Sequence, residues 1–352
     1  MYFVLLYGGK DKSNILDDLQ NRFSEIYKNL SKLEGYIDED SLLQVALKVR
    51  FNTLYWVDAK EKIDGRLAGK NQDGCSFIVD FAHKLEFASK SLTAFFKRDE
   101  LCSIDIHAIR VLGNYTVLLP YIVKSYSFGL GLEDIARLCK SFLGVALRDS
   151  IIGTRAYLES RLEHDYKQFT NENKNIQHII DNFEYLKKAS GSSWWWAYWN
   201  DEQLRTALLG ALNHTIGRFI LWQYENFLLS GGGNKNAKSG YRPVRYEQIE
   251  HPELEHIAPQ TPTSDHPEND GYDIYDDEFV NQYVDCLGNY LLLSKSHNCS
   301  ASNSCFKTKR EDYTYLQQQL EIRRLTEVDE KWDRKQILKR KENLIDFVLN
   351  NL

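Results

Sequence analysis

The sequence predicts a mainly α protein: a helical N-terminal array followed by a small ββα unit embedded in further helices. Three observations carry this. Apolar residues recur at three- and four-residue steps through most of the first 229 positions. No period-2 alternation of any length and no internal repeat precede residue 240. Beyond a glycine-rich stretch the texture changes to two short runs that suit strands, with helical periodicity after them.

The first helix is announced by Ile15, Leu16, Leu19, Phe23, Ile26, Tyr27, Leu30 and Leu33, with Asp, Glu and Lys between them. A second begins near Asp40. Phe77 to Phe96 is rich in aromatics and reads as deeply packed helix. Ile104 to Tyr126 is largely apolar, and Pro120 should kink or break it. Helices over Leu132–Leu147, Thr154–Phe169 and Ile176–Leu186 follow. Asp201 is a natural N-cap for one long helix reaching Leu229.

Ser230-Gly-Gly-Gly-Asn-Lys-Asn-Ala-Lys-Ser-Gly240 cannot hold a helix and need not pack. It divides a scaffold or recognition region, 1–229, from a second domain, 241–352. In that domain Val244–Ile249 and Tyr290–Leu293 read as strands, and Asp265–Glu278 as a solvated acidic insertion leading to a helix near Phe279–Cys286. Helical periodicity returns over Ala301–Leu320 and Val328–Leu349.

Composition is that of an ordinary soluble globular protein, with 43% hydrophobic and 27% charged residues over 352 positions. The net charge of -6 gives no global sign of a nucleic-acid partner, although phosphate is met by local basic surface. Six scattered cysteines without a CxxC pair fit reduced thiols inside a cell. Cys286, His297, Cys299 and Cys305 lack the paired spacing of a zinc site. No stretch approaches the ~20 apolar residues of a membrane span. The apolar start lacks a basic n-region, so the expected compartment is the cytoplasm.

The chemistry gathers in Leu254-Glu255-His256-Ile257-Ala258-Pro259-Gln260, answered by Leu287-Gly288-Asn289 and by His297-Asn298. Phosphodiester hydrolysis needs an activated water and a cation against developing negative charge. A neutral imidazole is the natural base near pH 7, and His256 is the candidate. Glu255 offers a hard oxygen for Mg²⁺ or Mn²⁺, and Asn298 a neutral amide oxygen as second ligand. Strand neighbours face opposite ways, so Glu255 and His256 converge only at a strand end or bend. Asn289 is placed to tie down the loop that bears His256. Lys295, Asn303, Lys307, Lys309 and Arg310 are candidate phosphate contacts, Lys309 foremost. Trp194-Trp195-Trp196 with Tyr198 and Trp199 reads as helix packing or an interface, with base stacking as the rival.

These paired segments resemble an HNH (His-Me finger) nuclease in the variant whose third motif residue is Asn; His297 is the rival for that position. They are similar to the HNH domain of RNA-guided DNA nucleases. They are more similar to the C-terminal nuclease domain of GmrSD-type modification-dependent restriction endonucleases. The shared strings are Glu-His-Ile-x-Pro-Gln, Leu-Gly-Asn-x-x-Leu-Leu, and Asn298, Asn303, Phe306, Lys309 and Tyr313 in order, with Trp332, Ile337 and Arg340 fitting a terminal helix. The resemblance covers roughly residues 241–352 and implies a metal-dependent DNA endonuclease or nickase of a restriction or anti-phage defence system. Such systems usually also carry a nucleotide-dependent domain with an Asp-Gly-Gln-Gln-Arg motif, which has no counterpart in this sequence; that module lies in a partner subunit or a missing domain, or is absent altogether. Any nucleotide would act through that partner. Two other classes stay open: a DNA-binding or regulatory subunit that does not cut, and an RNA-directed toxin nuclease.

Overall fold

The computed structural model describes residues 9–68, 72–190, 197–232, 242–294 and 304–352. The chain is mainly helical, and it divides into two compact units, 1–146 with 154–187, and 147–153 with 188–352. This division lies upstream of the glycine-rich segment 230–240, where the sequence reading set the boundary. Among the described residues no helix is long and apolar enough to cross a membrane.

The first unit holds α1 (Lys12–Leu33), α2 (Glu39–Phe51), α3 (Ala59–Leu67), α4 (Gln72–Ala94), α5 (Ile104–Leu112), α6 (Leu119–Ser127), α8 (Leu158–Gln168) and most of α7 (Leu132–Ile152) and α9 (Gln177–Lys188). Asp38, Asp58 and Ser103 cap α2, α3 and α5 by accepting from the N–H three residues on. Pro120 does not kink a helix; it sits in the first turn of α6, where a missing N–H costs nothing. α1 lies along α4, with Leu19, Cys75 and Ala82 buried between them. Lys124 is buried, its Nζ donating to Asn52 Oδ1 and to the carbonyls of Tyr166 and Phe169. Burial pushes its pKa down to about 7. It serves a carbonyl in the last turn of α8 and that of the C-cap residue Phe169.

The second unit begins differently from the sequence expectation. The run from Glu202 to Leu229 is two helices, α10 (Asp201–Leu208) and α11 (His214–Leu229), capped by Asn200 and Asn213 respectively. Asp201 is not the cap; it pairs with the buried Arg148 at 2.5 Å. Trp199 is fully buried and donates to Asp149 Oδ1, so this one tryptophan of the aromatic run is packing core. Trp194–Trp196 lie outside the described residues.

A two-stranded antiparallel sheet follows, β1 (Pro252–His256) with β2 (Tyr290–Ser294), in the register His256↔Tyr290 and Glu255↔Leu291. The expected strand at Val244–Ile249 is instead a turn with a short 3₁₀ segment. Side chains of α11 already satisfy Val244: Asn226 Oδ1 accepts from its N–H, and Asn226 Nδ2 and Trp222 Nε1 donate to its carbonyl. A backbone so occupied has nothing left for a ladder. The strand therefore forms at the Glu255-His256 motif itself.

After the sheet come α12 (Phe306–Asp312), α13 (Gln317–Leu325) and α14 (Arg334–Asn351). The single expected helix over Ala301–Leu320 is broken because buried Glu225 accepts from the N–H groups of Gln317 and Gln318, starting α13 afresh. The acidic insertion is gathered by one residue of α14: Arg334 meets Asp273, Asp276 and Glu278 at 2.9, 3.0 and 3.3 Å.

Gly288 explains the middle of the Leu-Gly-Asn string. A Cβ there would stand 2.3 Å from the carbonyl oxygen of Ile337 and 3.0 Å from the N of Lys341, both α14 backbone. Backbone cannot swing aside as a flexible side chain can. Gly288→Ala is expected to cost about 2–3 kcal/mol in denaturant unfolding; an unchanged midpoint would mean α14 does not close on this turn.

Candidate functional site

His256 ends β1, and its place is set from three directions. The Tyr290 ring meets it edge-on at 5.1 Å between centroids, from the paired position on β2. His214, exposed in the first turn of α11, lies 6.0 Å away ring to ring. Asp285 accepts or shares a hydrogen bond at 2.8 Å between Oδ1 and His256 Nε2. Gln260 Nε2 donates to the same oxygen at 2.9 Å.

Burial pulls the His256 imidazole below its ordinary value, and Asp285 only partly reverses this. The ring is therefore predominantly neutral at pH 7, the state a general base requires. For Asp285 burial acts upward, but hydrogen bonds from Gln260 and His256 outweigh it and hold the carboxyl below its usual range. Asp285 is ionised, and half of its side chain is exposed.

Asn289 is wholly buried and holds the surrounding loops. Its Oδ1 accepts from Ala258 N and Trp332 Nε1, and its Nδ2 donates to the carbonyls of Ala258 and Val284. All four amide interactions are between atoms otherwise lost to solvent. Ala258 follows His256 by two residues and Val284 precedes Asp285, so one amide joins the two chain segments that carry the pair. Arg340, fully buried on α14, donates to the carbonyls of Gly288 and Tyr290 and fixes the same turn from below.

Glu255 does not share this face. Its carboxylate is buried and meets Lys309 Nζ of α12 at 2.5 Å. Lys309 also donates to the carbonyls of His256 and Ile257 at 3.0 and 3.3 Å. Burial raises the Glu255 pKa and lowers that of Lys309, each opposed by the other's charge. Alternation along β1 is the cause: even at the strand end, Glu255 and His256 serve opposite sides.

The basic candidates among the described residues have different surroundings. Lys309 is 1% exposed and offers no charge to a phosphate. Arg310 is turned to α13 and its end, donating to Thr326 Oγ1 and the Arg323 carbonyl. Lys307 is exposed. Lys295, His297, Asn298, Cys299 and Asn303 lie outside the described residues. Of the expected metal ligands, then, Glu255 is engaged by a lysine and Asn298 is undescribed. Its hard oxygen suits Mg²⁺, but as arranged Glu255 does not fit a metal, since a divalent ion would stand against a buried ammonium.

Asp285, Gln260 and His214 were not singled out from the sequence. Asp285 lies 29 residues from His256 and looks like one more acid after an acid-rich stretch. His214 opens an ordinary amphipathic helix. Gln260 was quoted only as part of a motif string.

A neutral histidine at the end of β1 thus stands bonded to an ionised carboxylate, beside a two-stranded antiparallel sheet. Residues 200–347 match the family model of GmrSD restriction endonucleases, C-terminal domain. This segment is thus similar to a restriction-type nuclease domain, as its motifs indicate. The match begins at Asn200, so α10 and α11 fall within it. No curated protein and no solved structure matches the chain.

Proposed function

We propose that the chain is a DNA endonuclease or nickase of a modification-dependent restriction or anti-phage defence system, of the HNH class. His256 is the general base: it takes the proton of a water attacking phosphorus, and the leaving oxygen departs from the opposite side. The observation that carries this is the neutral His256 bonded to Asp285 within the segment matched to the GmrSD C-terminal domain. Asn289 maintains the geometry as a buried frame. Phosphate contacts fall to Lys307 among the described candidates, with Lys295 and Asn303 beside it in the proposal.

Mg²⁺ or Mn²⁺ is the proposed cofactor, and when bound it would stabilise the charge that develops on the phosphoryl oxygens. Asn298 remains a proposed ligand; Glu255 could join it only by giving up Lys309. A nucleotide-dependent partner subunit or domain is proposed from the family resemblance, and a cytoplasmic location from the scattered cysteines without a CxxC pair. The engagement of Glu255 by Lys309 favours a second reading, a DNA-binding or regulatory unit that does not cut.

The test is digestion of supercoiled plasmid DNA and structured RNA side by side, by the purified chain in Mg²⁺ and in EDTA. Mg²⁺-dependent nicking of DNA alone supports the proposal. Cleavage of RNA with DNA spared would replace it with a toxin nuclease, and binding without cleavage with the regulatory reading.

A further inference from the structure

We infer that Asp285 is the positioning residue of His256, fixing both its tautomer and its ring orientation, with Gln260 holding Asp285 in turn. The inference rests on the reading of His256 as the base and adds the group that makes it one.

An ionised carboxylate can only accept, so the 2.8 Å contact requires the proton of the neutral imidazole to sit on Nε2. The lone pair is then on Nδ1, and that nitrogen is the one able to take a proton from water. Without Asp285 the two tautomers differ little in energy, and a share of molecules would present N–H where the base should be. Gln260 donates to the same Oδ1 at 2.9 Å, which limits rotation of the carboxylate. The Asn289 amide clamps Ala258 and Val284, so the backbones bearing His256 and Asp285 cannot drift apart. Asp285 is the residue in contact with the ring; Asn289 acts on the chain around it.

Asp285 therefore affects turnover more than binding of DNA. Asp285→Ala is expected to lower kcat about 10- to 100-fold with KM nearly unchanged, a part of the roughly 10²–10⁴-fold a general base supplies. In a His256→Ala background the same substitution should do nothing further, because its only route to the reaction is gone. A second measurement needs no turnover. Nitrogen-15 spectra of histidine-labelled protein, with the His256 signal identified by its loss in His256→Ala, should show the Nε2–H form in the wild type and a mixture in Asp285→Ala. Wild-type kcat in Asp285→Ala, an undiminished further loss in the His256→Ala background, or an Nδ1–H ring in the wild type would each overturn the inference. Wild-type cleavage by His256→Ala would instead overturn the assignment of the base, whatever Asp285 does.

Discussion

His256→Ala is expected to reduce phosphodiester cleavage by roughly 10²–10⁴-fold, the range over which a positioned general base accelerates proton transfer. Stability should move far less. The imidazole side chain is 12% exposed, at a strand end, and its hydrogen bond among the described residues is to a half-exposed carboxylate. Removing it leaves Asp285 with Gln260 as a partner and with access to water, so no buried group is orphaned. The loss should therefore appear in kcat while the unfolding free energy changes by about 1 kcal/mol or less. A coupled loss of fold and cleavage would make His256 a structural residue. Plasmid nicking under single-turnover conditions, read beside thermal unfolding of the same samples, separates the two.

The helical body was legible because its signal is local. Ile15, Leu19, Ile26 and Leu33 fall on one face whatever they pack against, and the structure puts α1 over Lys12–Leu33. Failures came where a distant side chain decided local structure. Glu225 restarts the chain at Gln317, and Asn226 and Trp222 take the backbone of Val244 out of contention for a strand. Neither event leaves a trace within a window of ten or fifteen residues.

The site shows the same division. His256 and Asn289 both fall within motif strings, and the structure puts the first at the end of β1 and the second in a buried amide frame. Asp285 was not legible in that way, since its meaning depends on a strand pairing that brings Cys286–Asn289 beside His256–Ala258. Lys309 stands both in a motif string and among clustered basic residues, and its charge reads as a phosphate contact. Its position three residues after Phe306 on a seven-residue helix, with Phe306 also buried, puts it on the inner face.

That inward lysine yields the largest stability effect to be expected in the second unit. Lys309→Ala removes the donor to Glu255, His256 and Ile257 together and leaves a carboxylate buried near the phenols of Tyr272 and Tyr313. Breaking such a pair costs about 3–5 kcal/mol, more than the pair itself contributes, because the remaining charge has no partner. Glu255→Gln with Lys309→Met should recover much of this by leaving no charge at all. The pH dependence has a definite sign. Burial raises the Glu255 pKa above its unfolded value, and losing Lys309 raises it further. The folded state then holds a proton that the unfolded state releases, so the variant loses stability as pH rises through that folded value. Denaturant unfolding in EDTA should thus show a smaller deficit near pH 5 than at pH 8. A deficit independent of pH would mean that Glu255 finds water or another cation once Lys309 is gone. If Mg²⁺ then restored the midpoint of Lys309→Ala but left the wild type unmoved, Glu255 would be a metal ligand that Lys309 keeps closed.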